Sequence, residues 1–344
     1  MIRFNNDYNR GAHPAILEAL QATNTESYGG YGIDDWCEKA AGEIKKHLDR
    51  PEAAVHFLVG GTQTNFTAIA ACLRPYQSVV SAETGHIHVH ETGAVEHVGH
   101  KITALQAENG KITAAQIAAV AQEYHASPIR EHFTQPKLVY ISFPTEYGTI
   151  YSLKELTDIR AVCDEYDMYL FVDGARMGYG LGADGADVTL RDLARLADMF
   201  YIGGTKCGAL FGEALVITNP ALQPDFRAFI KQNGAMLAKG WLLGLQFYTL
   251  FKDGLYFDIC RGAVEKAMEL KAAFAAKGIP VYIESPTNQQ FVVMSHGQIE
   301  ALKGKYTFEP DHPVDAEHMC VRFCTSWATT QGEIDALKAD IAAL

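Results

Sequence analysis

Gly60-Gly61-Thr62-Gln63-Thr64-Asn65 follows an apolar run and opens a helical pattern. Glycines at such a turn let the backbone approach an anion. The helix N-terminus adds unpaired N–H groups and a partial positive charge. A plain strand-to-helix turn capped by Thr62 would look the same. Asp173-Gly174-Ala175-Arg176 ends the apolar run that begins at Met168. Ligands of open α/β sheets bind beyond the carboxyl ends of the strands, so an acid there can face a cationic group; a turn-capping Asp is the alternative. Lys206 sits among glycines in Ile202-Gly203-Gly204-Thr205-Lys206-Cys207-Gly208. An amine held at a sheet edge is desolvated, which lowers its pKa and frees it to form a Schiff base. A solvated surface lysine is the plainer reading. His86, His88 and His90 alternate, and alternate side chains on a strand share a face, as metal ligands require. One of them could instead stack on a planar cofactor, or all could lie on a polar loop or helix.

These residues need a layered scaffold. Apolar runs at 56–60, 78–82, 138–142, 168–175, 198–204 and 214–219 read as strands, separated by helical patterns near 62–73, 113–125, 152–166 and 188–196. The runs are apolar on both faces, which predicts a mostly parallel sheet covered by helices on both sides. After Pro224 the pattern predicts long helices over 225–251 and 256–277, broken at Gly254. Strands at 279–284, 290–295 and 320–325 and a helix near 330–343 then predict a smaller C-terminal α+β domain. Gly178-Tyr179-Gly180-Leu181-Gly182-Ala183 has the form GxGxxA, but no amphipathic helix follows it. No strand ends in an acid about 20 residues later either, so a loop is expected there.

With 344 residues the chain suggests about two domains. Lys and Arg number 29 against 41 Asp and Glu, and the net charge of -12 makes nucleic acid and anionic membranes poor partners. The seven cysteines (37, 72, 163, 207, 260, 320, 324) form no CxxC pair, which points to buried, reduced thiols. A polar N-terminus and the lack of any run near 18 apolar residues predict a cytoplasmic protein.

The ordered set GGTQTN, HIxxxExGA (His86 to Ala94), DGAR, the strand-borne Lys206 and the late Val321-Arg322-Phe323 resembles one family. That family is the threonine aldolase and β-eliminating lyase branch of fold-type I pyridoxal phosphate (PLP) enzymes. The resemblance runs from Asn6-Asp7 to the terminal helix. It implies a transferase-like fold, with an N-terminal arm and large domain over 1–250 and a small domain over 251–344.

By this resemblance Lys206 holds PLP covalently, Asp173 pairs with the pyridinium nitrogen, and Gly61, Thr62 and Gln63 form the phosphate cup. His86 stacks on the ring, so His88 and His90 need no metal. Arg322 grips the substrate carboxylate bidentately. Arg176 lies near the cofactor oxygen and that carboxylate, and Asn6 stands where the family has a serine. Lys231 and Lys239 fall where the family reaches a neighbouring subunit's phosphate, which implies a homodimer or homotetramer. One departure stands out: the family's Glu-Asn-Thr-His reads Phe143-Pro144-Thr145-Glu146 here. Glu146 therefore replaces the histidine near the substrate's β-hydroxyl.

The implied activity is Cα–Cβ cleavage of a β-hydroxy-L-amino acid, threonine or allo-threonine, to glycine and an aldehyde. Rival readings are β-elimination or transamination on the same scaffold, a metal-dependent hydrolase using the three histidines, and a PLP-binding protein without catalysis.

Overall fold

The computed structural model describes all 344 residues. A two-residue strand β1 (Ile2–Arg3) precedes the main sheet, whose strands are β2 (Ala54–Leu58), β3 (Gln77–Ala82), β4 (Lys101–Leu105), β5 (Gln135–Ser142), β6 (Tyr169–Asp173), β7 (Met199–Gly203) and β8 (Glu213–Ile217). Their spatial order is β2-β8-β7-β6-β5-β3-β4. Pairing is parallel from β4 through β7, while β8 runs antiparallel to both its neighbours. Every residue of β3, β7 and β8 is buried, as a sheet covered on both faces requires. The remaining strands are β9 (Val281–Ile283), β10 (Gln289–Ser295), β11 (Tyr306–Thr307), β12 (Glu309–Pro313) and β13 (His318–Cys324). Of these, β12-β13-β10-β9 form an antiparallel sheet, and β1 pairs in parallel with β11.

Local chemistry accounts for many of the helix starts. Thr113 with Gln116, Ser152 with Glu155, Thr189 with Asp192 and Thr330 with Glu333 each close a reciprocal capping box. The helix expected over 225–251 is instead two, Phe226–Gln232 and Trp241–Phe251. The first stops at Asn233-Gly234, where Gly234 takes a φ of 70°, a left-handed conformation that ends a helix readily. The loop expected at 178–183 contains the short helix Met177–Leu181, packed through Gly178 against Tyr256 and Cys260 and through Gly180 against Phe143 and Pro144. Helices Pro14–Thr23 and Asp35–Leu48 and the edge strand β4 have no counterpart in the sequence-based expectations.

The sheet brings the chemistry to one edge. Ser142 and Asp173 end adjacent strands in register, and Gly203 and Leu58 both pair with Glu213, the first residue of the reversed strand β8. Gly174 lets β6 and β7 close up beyond this edge, because a Cβ there would lie 1.9 Å from the Tyr201 carbonyl oxygen.

Candidate active site

Two cavities meet above that edge. The inner one, about 330 Å³, is bordered by Gly60, Gly61 and Thr62, by Asp173 and Tyr201, and by Thr205 and Glu213. The outer one, about 590 Å³, is bordered by His90, Tyr147, Phe291, Asp311, His312 and Arg322. Tyr8, His86, Glu146, Arg176 and Lys206 border both.

Asp173 is 4% exposed and accepts four hydrogen bonds. Its Oδ1 accepts from the Tyr201 hydroxyl and the Ala175 N–H, and its Oδ2 from the Tyr140 hydroxyl and Asn65 Nδ2. Burial alone would raise this carboxyl, but the neighbouring His86 charge and the hydrogen bonds hold it below its ordinary value. Asp173 is thus a fixed buried anion, the group that a cationic ring nitrogen needs. Asn65 also donates to Glu91, which binds His86 Nδ1 at 2.7 Å. Burial opposes protonation of His86, yet the bond to Glu91 and the Asp173 charge raise its pKa overall. With Nδ1 on Glu91, His86 presents Nε2.

Lys206 is moved the other way. Burial and the Arg176 guanidinium lower its pKa, although Asp7, Asp173 and Glu213 oppose the shift. The shift makes the amine easier to deprotonate, as a nucleophile requires. Glu146 accepts on Oε1 from Ser142 Oγ at 2.6 Å and from the His86 N–H at 2.9 Å. Burial raises its pKa in spite of those bonds.

The helix Gly61–Cys72 begins at Gly60 with no side-chain cap, so its first N–H groups stay open towards the inner cavity. The alternative of a Thr62-capped turn is not what forms. Gln63 departs from expectation: its side chain donates to the Asn233 carbonyl and borders neither cavity, so only its backbone remains at the helix start. Asn6 borders neither cavity; its side chain accepts from the Tyr8 N–H. Arg176 borders both cavities with its guanidinium forked onto buried Asp7, at 2.7 and 3.0 Å. Arg322 donates one NH2 bond to the Asn5 carbonyl, while its buried Nε has no partner.

His86 and His88 occupy the helical turn His86–Val89, with His90 just beyond it. Residues two apart on a helix diverge by about 200°, so the strand face that a His-x-His-x-His metal site needs does not form. His88 and His90 are exposed. All seven cysteines are free. No helix is long and apolar enough to cross a membrane.

Sequence reasoning missed several contributors. Asn65 and Glu91 lie inside the motifs already singled out, so a search for partners of Asp173 and His86 could have found them. Asp7 adjoins Asn6, but nothing local marks it as the partner of Arg176. Tyr140, Tyr201 and Glu213 read as ordinary strand residues.

The donor set fits PLP: an anion for the ring nitrogen, an amine with lowered pKa, an imidazole, and an uncapped helix N-terminus for the phosphate. Known proteins agree with this architecture. Residues 8–299 match the family described as beta-eliminating lyase. A low specificity L-threonine aldolase of a Pseudomonas species is 31% identical across 99% of this chain and 97% of its own length. The solved structure of Leishmania major threonine aldolase is 44% identical, with TM-score 0.97, covering 100% of this chain and 99% of that one. Aspartate aminotransferase from Thermus thermophilus, only 14% identical, superimposes with TM-score 0.71 over 100% of this chain and 91% of its own, which shows the fold-type I architecture alone. With a family match over most of the chain and relatives aligned end to end, the chain belongs to the threonine aldolase and beta-eliminating lyase family.

Proposed function

We propose that the chain is a PLP-dependent lyase that cleaves threonine, allo-threonine or a related β-hydroxy-L-amino acid into glycine and an aldehyde. The observation that carries this reading is the shared border: His86, Glu146 and Lys206 stand where the inner cavity opens into the outer one. A base at that junction can reach a β-hydroxyl while the amino acid's carboxylate extends towards Arg322.

Lys206, Asp173, His86 and the N-terminus of the helix Gly61–Cys72 would hold the cofactor. When bound, PLP supplies an electron sink for the charge left at Cα on bond cleavage. Lys206 contributes an amine whose pKa burial lowers and which can give way to the substrate's own. Asp173 stays ionised, so a proton on the facing ring nitrogen is retained. Glu146, with Oε1 occupied by Ser142 and the His86 N–H, offers Oε2 to the β-hydroxyl proton. His86, oriented by Glu91, would lie against the ring. Arg322 brings its guanidinium to the border of the outer cavity, where it can meet a carboxylate. The proposal extends to a cytoplasmic homodimer or homotetramer in which Lys231 and Lys239 approach a neighbour's cofactor; Lys231 Nζ lies 4.8 Å from the Tyr31 ring.

The test has two parts. Borohydride treatment of the PLP-loaded protein should fix the cofactor mass on the peptide bearing Lys206. L-Threonine should then yield equimolar acetaldehyde and glycine with untreated enzyme. Ammonia and a keto acid as products would assign β-elimination instead, and label on another lysine would overturn the site.

A further inference from the structure

Glu213 has no place in the scheme above, yet it is a carboxyl group in the wall of the inner cavity. It is 3% exposed. It opens the reversed strand β8 and pairs on one side with Leu58, just before the Gly60-Gly61-Thr62 turn, and on the other with Gly203, just before Thr205 and Lys206. It therefore sits between the anion-binding turn and the lysine loop, and borders the cavity with both. Its Oε2 accepts from the Gly204 N–H at 3.0 Å, which leaves Oε1 for the cavity.

An ionised carboxylate beside a phosphate dianion would repel it, whereas a carboxylic acid can donate a hydrogen bond to it. We propose that Glu213 in its protonated form is a member of the phosphate cup, donating from Oε1 to a phosphate oxygen. The inference rests on the PLP reading above. Burial pushes the Glu213 carboxyl up to about 8, although Thr205, the Gly204 N–H and the Lys206 charge act to lower it. A bound dianion would raise it further. Below about pH 8 the acid is already in place; above it, the free protein must take up one proton from solvent for each phosphate bound, so affinity falls. The other charged or titratable groups around this cavity are Lys206, Arg176, Asp173, His86, Glu146 and the phenols of Tyr8 and Tyr201. Lys206 and His86 are the two whose own titration could mimic the effect, because a cation losing its charge also weakens anion binding; neither is removed by a change at Glu213.

Pyridoxamine 5'-phosphate separates these causes, since it cannot bond covalently to Lys206, and pyridoxamine provides the same ring without the phosphate. Dissociation constants for both would be measured by equilibrium dialysis at pH 7.5 and 9. For the wild type, the phosphorylated ligand should weaken roughly tenfold more than pyridoxamine over this range, because the ring and amine titrations are common to both. In Glu213→Gln, which keeps the shape and cannot titrate, the phosphate-specific loss should shrink below about twofold; a Lys206 origin would leave it intact. Equal pH dependence for the two ligands in the wild type, or an unaltered loss in Glu213→Gln, overturns the proposal while leaving the PLP reading standing. Failure of the phosphorylated ligand to bind at any pH overturns both.

Discussion

Glu146 stands where the resemblance implies a histidine, and its surroundings give a carboxylate there chemical sense. A base for the β-hydroxyl must be ionised, and burial raises Glu146 above the ordinary 4.5. Turnover should therefore rise with pH along an acid limb set by that raised value and keep the gain above it. Glu146→Gln should lower aldol cleavage by roughly 10²-fold or more, as for loss of a general base, and should flatten the limb while PLP retention holds. Steady-state rates across pH check both; an intact limb in the variant would move the base to His86. Arg322 allows a sharper test of binding. At the border of the outer cavity its planar guanidinium can make a forked contact that an ammonium cannot reproduce. Arg322→Lys should weaken amino-acid affinity by about 1.5–3 kcal/mol, the range for hydrogen bonds to charged groups, and spare PLP binding. Loss of cofactor with substrate affinity retained would remove Arg322 from the carboxylate. The residues legible in the sequence were those with unusual neighbours, Lys206 among glycines and Asp173 at a strand exit. Tyr140 and Tyr201, which give Asp173 two of its hydrogen bonds, were hidden because a Tyr in a strand usually serves only to pack.

The large-sheet strands are legible where apolar residues run unbroken, as at 138–141 of β5, 169–172 of β6 and 199–202 of β7. The edge strand β4 escaped because its burial is partial and its sequence, Lys-Ile-Thr-Ala-Leu, carries no strong period. The helix expected over 225–251 was too long because apolar residues continue through the break, and only Gly234 signals the stop. At the active edge the governing element feature is the approach of β6 to β7. A Cβ on Gly174 would fall 1.9 Å from the Tyr201 carbonyl oxygen, and one on Gly203 would fall 2.4 Å from that of Ala175. Gly174→Ala must therefore separate the two strand ends, carrying Tyr201 away from Asp173 and shifting the lysine loop. Overpacking of this kind costs about 1–3 kcal/mol. The variant should unfold at lower temperature and release PLP more readily, in a dialysis assay run beside the wild type. Full cofactor retention would mean that the strand ends relax without disturbing the site.

Across the whole molecule, the first eight residues join parts far apart in sequence. Strand β1 pairs with β11, and Phe4 is fully buried in the C-terminal cluster with Phe274 and Phe323. Three residues on, Asp7 forks onto Arg176 beyond the main sheet and accepts from Asn288 beside the small one. Spacing along the chain cannot reveal a contact between positions 169 residues apart, which explains why Arg176 was read from its motif and its partner was not. Both ions are buried, so removing one leaves the other uncompensated. Asp7→Ala should destabilise the protein by about 3–5 kcal/mol, the usual cost of breaking a buried pair. The pH dependence has a definite sign. Burial would raise Asp7, but Arg176, Lys206 and Asn288 hold its folded-state pKa below the ordinary 3.8. The unfolded chain thus takes up the proton first as pH falls, and the contribution of Asp7 is complete above 3.8 and lost as pH drops through the folded value. The difference in unfolding free energy between wild type and Asp7→Ala, from urea titrations, should stay level from pH 8 to 5 and contract only below 3.8. A difference that changes between pH 8 and 5 would trace to another group. A difference under about 1 kcal/mol, the scale of exposed pairs, would mean that Arg176 finds a new partner when Asp7 is removed.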